Sequence, residues 1–289
     1  MSPTTHHHTG EALPRPLITI GVPCAGALLI AFFMIRGFPY DKLGDWIANR
    51  IEQNNGIQLA IGYIGPTLQL AGPALEATQL RAKAPDRPPQ QIDRALIRPA
   101  WSLSWLAGEP AFHMELEGAA GYANGTLRWN GAASWVGFIR DARPELPPIA
   151  DWIPTGRLEG ILEATIDISL AELGPEGVIE FTARDGSIFL PGLPGAPLPF
   201  ESLTGVVNLG GDAYAKLASL KVEGPDVTGS GSGKIGRAER LEQAPIGFEF
   251  DFVVGPVPGT ALRGGGVTVH PGGEALAKIS GTVAKPKVR

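Results

Sequence analysis

From residue 57 onward, apolar side chains recur at every second position, in short runs broken by Gly and Pro. Ile57, Leu59 and Ile61 open the pattern, and Leu68 and Leu70 follow what reads as a Gly65-Pro66 turn. The pattern continues through Trp101, Leu103 and Trp105, through Phe112, Met114 and Leu116, and through Leu127 and Trp129. Leu162, Ala164, Ile166, Ile168 and Leu170 form a longer run, followed by Ile179 with Phe181 and by Ala218, Leu220 and Val222. The cleanest run sets Ile246, Phe248, Phe250, Phe252 and Val254 against Gly247, Glu249, Asp251 and Val253. Ala275, Ala277, Ile279 and Val283 close the chain. Successive strand side chains point to opposite faces, so strict alternation gives each strand one apolar and one wet face. That is the mark of an antiparallel sheet. The expected fold is therefore mainly β: one large antiparallel sheet that curls to cover its apolar face, as an open groove or a sandwich-like or barrel arrangement.

Composition narrows this further. Gly and Pro supply 39 and 27 of the 289 residues, which disfavours long helices. Hydrophobic residues make up 44%, too many for a disordered chain. Residues 84–91, 143–154, 191–199 and 228–236 read as loops, and 143–154 is the best place for a boundary between two lobes of one β domain over 57–289. After residue 56 a helical reading stays open only over Trp135–Ala142.

The N-terminal part differs. Residues 17–35 carry no charge, and 19 residues at helical rise reach about 28 Å, the thickness of a bilayer core. Neither a signal-peptide cleavage site nor a lipoprotein site follows, because the run exits through Arg36-Gly37-Phe38-Pro39 and Cys24 sits in its middle. The expected organisation is a disordered tail over 1–15, a single transmembrane helix over 16–36 and a short amphipathic helix or linker over 37–56. Within the last, Leu43, Trp46, Ile47 and Ile51 fall at helical spacing over 41–54, with the apolar side on the membrane or against the start of the sheet. Arg15 before the run and Arg36, Lys42 and Arg50 after it do not settle orientation, since large domains translocate largely regardless of charge.

Chemistry-bearing motifs are sparse. With 24 basic and 29 acidic side chains the net charge is −5, which argues against nucleic acid as a partner. The single cysteine excludes an intrachain disulfide or a Cys-rich metal site. His6, His7 and His8 lie in the tail, and His113 and His270 have no second ligand at useful spacing. Thr228-Gly229-Ser230-Gly231-Ser232-Gly233-Lys234-Ile235 superficially looks like a phosphate-binding loop, but Thr228 stands where the first glycine belongs and Ile235 replaces the hydroxyl. No enzyme, cofactor or metal centre is expected. The candidate functional surface is the apolar strand face: Leu162, Ile166, Ile168, Phe181, Leu220, Val222, Ile246, Phe248, Phe250, Phe252 and Ile279. In a closed fold these residues are core; in an open groove they form a channel for acyl chains.

The short tail, the single apolar run, Phe38-Pro39-Tyr40-Asp41 and the Gly-rich β region together resemble the type II secretion system protein N family and the related AsmA-like proteins. Gly186-Ser187-Ile188-Phe189-Leu190-Pro191-Gly192, Leu203-Thr204-Gly205-Val206-Val207 and the stretch from Leu220 to Gly231 are similar to that family. The resemblance covers roughly residues 15–60 and 155–255. It implies a Gram-negative inner-membrane protein with a cytoplasmic N-terminus and a periplasmic β domain. It further implies an accessory role in the type II secretion system, through contacts with other secretion subunits. The AsmA-like kinship implies a groove that handles phospholipid between membranes.

Overall fold

A computed structural model of the chain describes residues 26, 29, 37–70, 72–83, 89–100, 107–129, 132–146, 157–171, 174–189, 197–264 and 267–288. The expected tail, and the expected membrane helix apart from Gly26 and Leu29, lie outside the described residues, as do Trp101, Leu103 and Trp105. No helix among the described residues is long and apolar enough to cross a membrane.

The first described element is α1 (Tyr40–Asn55), which stops at Gly56, whose φ of 66° is the left-handed conformation that glycine adopts without strain. The strands follow in chain order: β1 (Gln58–Ala60), β2 (Tyr63–Gln69), β3 (Gly72–Lys83), β4 (Gln90–Pro99), β5 (Ala111–Gly118), β6 (Gly121–Trp129) and β7 (Ala133–Ala142). Then come β8 (Arg157–Ala171), β9 (Gly174–Phe189), β10 (Leu198–Leu209), β11 (Ala213–Glu223), β12 (Val227–Gly236) and β13 (Pro245–Val254). A second helix, α2 (Pro256–Gly264), precedes β14 (Thr268–Val269), β15 (Glu274–Thr282) and β16 (Lys285–Val288).

Among the described residues, these sixteen strands form a single antiparallel sheet. From β3 to β13 each strand pairs with the next in sequence, a continuous meander. The outer edge of β3 is shared by β1 and β2, and the outer edge of β15 by β14 and β16. The two ends do not pair with each other among the described residues, so the sheet is not closed. The sheet is continuous across the boundary expected near 143–154, because β7 pairs directly with β8.

Several local expectations change. Gly65 and Pro66 lie inside β2 rather than in a turn; β2 pairs only with β3 among the described residues, and proline is tolerated where no N–H is needed on an outer edge. Trp135–Ala142 is strand β7, not helix. Residues 228–236 are not a loop but part of β12, paired along its length with both β11 and β13.

α1 packs on the first strands through its Leu43–Gly44–Ile47–Ala48–Ile51 side, and a Cβ at Gly44 would sit 3.2 Å from Ile64, which is buried. Trp46, expected on that side, instead stands 63% exposed.

Candidate functional site

The strand registers bring all eleven candidate residues to one face. Residues directly opposite each other in a ladder project to the same side. Across β8 to β15 one such row runs Ala164, Phe181, Gly205, Leu220, Gly231, Phe250 and Ala277. The row on one side of it carries Leu162, Val222 and Phe252. The rows on the other side carry Ile166, Phe248 and Ile279, then Ile168 and Ile246. The same face continues through the first half of the chain, where Ile139, Ala123, Leu116, Ala95, Ala77 and Ile64 extend the central row.

Glycines opposite aromatic residues shape this face. On β12, Gly229, Gly231 and Gly233 stand opposite Phe252, Phe250 and Phe248. A Cβ at Gly229 would come within 2.5 Å of the Phe252 ring, and closer still to the Phe250 and Phe248 rings at the other two positions. The rings lie over the neighbouring strand's bare backbone and stack nearly parallel, 6.1 Å apart for Phe248–Phe250 and 5.9 Å for Phe250–Phe252. The device recurs where Phe181 covers Gly205, Phe200 covers Gly186 and Trp135 covers Gly125.

The face is closed at one end and open at the other. Leu262 of α2 is 1% exposed and joins Phe200, Leu203, Val222, Val227, Phe252 and Val254 in one buried cluster. Away from that end Ile166, Ile168, Ile246, Phe248 and Ile279 are only half-buried. Of the eleven candidates, Val222 and Phe252 are buried and nine keep partial solvent contact. An apolar recess of about 200 Å³ lies on the same face, between Leu116, Ala123, Ile139 and Ala142.

The opposite face carries most of the charges, with Val136, Val178, Val253 and Leu276 exposed among them. Arg94 pairs with Glu76 at 2.5 Å, Lys278 with Glu249 at 2.6 Å, Lys234 with Asp212 at 3.3 Å and Arg184 with Glu163. Pairs as exposed as these add little to stability. Leu96 is an exception on this side, fully buried between Glu76 and Glu115 in the register. His113 stands 3.4 Å from Glu115. Burial pushes its pKa below the usual 6.5, Arg98 pushes the same way, and Glu115 opposes both. A depression of about 470 Å³ on this face is lined by Glu163, Thr165, Glu180, Thr182 and Thr204, with Phe138 and Arg140 at its rim. Arg140 sits 4.3 Å over the Phe138 ring and Glu163 is held by Arg184, so both charges serve the face itself. Among the described residues no group of three or more His, Cys, Asp or Glu is placed to hold a metal ion.

Alternation exposed the apolar face in the sequence, but not the glycine stripe that fits it or the helix that closes it. Gly229, Gly231 and Gly233 at every second position were the available signal, since a strand with glycine on one face leaves room for large rings beside it. No family model, curated protein or solved structure matches the chain.

Proposed function

We propose that this chain is an envelope protein, anchored by residues 16–36 in the bacterial inner membrane, whose sheet curls in the periplasm into a groove that holds the acyl chains of phospholipids. The observation that carries this reading is the partly exposed apolar face. Five apolar side chains outside the buried cluster and its periphery, Ile166, Ile168, Ile246, Phe248 and Ile279, stay partly accessible on an open sheet. Curling is favoured by bulges that bend individual strands. Asp141 and Asp185 take positive φ at shifts in the register of β7 and β9. A sheet of sixteen twisted strands rarely stays flat. The stacked rings over glycine give the groove a smooth wall, suited to a flexible hydrocarbon chain rather than to a polar ligand that needs fixed hydrogen bonds. This is the lipid-handling side of the AsmA-like resemblance.

A second reading, an accessory component of the type II secretion system binding other secretion subunits, is supported by the sheet's outer edge. β2 pairs on one side only among the described residues, and Tyr63 and Leu68 on it are 56% and 84% exposed. Such an edge suits strand addition by a partner.

Photo-crosslinking in intact cells separates the two. The photoreactive analogue p-benzoylphenylalanine at Phe248 should capture phospholipid, whereas the same group at Glu249, one residue along on the polar face, should not. Absence of lipid at Phe248, with a discrete protein adduct at Tyr63, would replace the first reading with the second.

A further inference from the structure

We infer that α1 lies flat on the surface of an anionic lipid bilayer, seated through a stripe of Lys42, Trp46, Arg50 and Gln53. At 100° per residue the helix divides into three sectors. Leu43, Gly44, Ile47, Ala48 and Ile51 face the first strands, where Gly44 meets Ile64. Asp41, Asp45 and Glu52 form a second, acidic sector. The third sector, about 120° round from the acidic one, carries Trp46 between Lys42 and Arg50, four residues to either side, with Gln53 beside them; all four are exposed. Trp46 keeps 63% of its surface accessible, and Phe38, just ahead of the helix, keeps 48%.

An indole left out of the sheet contact and flanked by two cations matches the headgroup layer, where the ring is half-desolvated and the cations meet lipid phosphates. The acidic residues are segregated to another sector, so they do not oppose that contact. Geometry supplies the occupant. The uncharged stretch ends at Ile35, five residues before Tyr40, and five residues span at most about 18 Å even when extended. If that stretch crosses the membrane, the start of the helix stays within about 18 Å of its surface, and the Trp46 sector is what lays the rest of it flat. This contact rests on the membrane anchoring proposed above, but not on the acyl-chain groove. Its consequence is orientation: Ile64 under α1 begins the central apolar row, so the first strands of that face stand next to the bilayer.

The test uses the full chain with Cys24→Ser and a fluorophore on Gln53→Cys, reconstituted into vesicles of phosphatidylcholine with or without phosphatidylglycerol. The same label on Ser232→Cys, on the polar face of β12, is the reference. Vesicle flotation first establishes that the chain is membrane-bound. In anionic vesicles the label at position 53 should be shielded from aqueous iodide relative to the reference. Lys42→Gln with Arg50→Gln should weaken seating by about thirty-fold and restore quenching to the reference level. A chain that floats but is quenched equally at both positions overturns this contact while leaving the anchor intact. Shielding that is the same without phosphatidylglycerol and unmoved by the double substitution overturns it in favour of a protein contact. A chain that does not float overturns the anchor and the contact together.

Discussion

Phe250 lies over Gly231 because glycine removes the only atom that would hold the ring off the neighbouring backbone. Alanine at position 231 must therefore displace the ring or the strand, and overpacking of this kind costs about 1–3 kcal/mol. Gly247, on the other face of β13, has open space where a Cβ would go. Urea denaturation should show Gly231→Ala destabilised within that range and Gly247→Ala changed by no more than about 0.5 kcal/mol. His113 gives a pH-dependent counterpart on the polar face. Its folded pKa lies below 6.5, chiefly through burial, so the unfolded chain takes up the proton first as pH falls. The contribution is fully present above 6.5 and is lost as pH drops from there through the lowered folded value. The urea midpoint of the parent chain should fall over that window more steeply than that of His113→Gln, and parallel curves would contradict it. At this scale the sequence was informative about which residues share a face, because a period of two needs no knowledge of partners. It was silent about Gly231 serving Phe250, because that pairing depends on register between strands.

Among the elements, β12 and α2 show why local signals mislead. Val227–Gly236 has the composition of a flexible loop, yet it is a paired strand, because its glycines are complemented by rings from β13. α2 begins with Pro256 and holds Pro258 in its first turn, where backbone N–H groups have no intrahelical partner to lose. Prolines that read as breakers therefore begin a helix, and Gly264 ends it. Trp135–Ala142 fell to strand because Trp135, Gly137 and Ile139 pair on both sides with residues of the apolar face. α1, by contrast, was legible to within a residue or so at each end, although Trp46 belongs to a different side from Leu43 and Ile47. The closing role of α2 rests on Leu262, 1% exposed among Phe252, Val254 and Val227. Leu262→Ala should cost about 2–5 kcal/mol in chemical denaturation. A loss below 1 kcal/mol would mean that the sheet closes this end without the helix.

For the whole molecule, alternation announced one large antiparallel sheet but could not say whether it closed. A sandwich, a barrel and an open groove all place apolar residues at every second position. What distinguishes them is which strand meets which at the ends, and that depends on contacts between residues far apart in the chain. Here the meander runs from β3 to β13 with its two ends apart among the described residues, and α2 closes one end of the apolar face. In the proposed groove the two outer rings of one stack therefore differ: Phe252, 7% exposed, belongs to the buried cluster, and Phe248 to the partly exposed wall. The most direct measurement compares Phe252→Asp with Phe248→Asp in the full chain, following thermal unfolding and the phospholipid that co-purifies. A buried carboxylate is costly, so Phe252→Asp should abolish the cooperative transition. Phe248→Asp should keep a cooperative transition and lose bound phospholipid. If Phe248→Asp unfolds the chain as completely as Phe252→Asp, the apolar face is a closed core and the groove account is wrong.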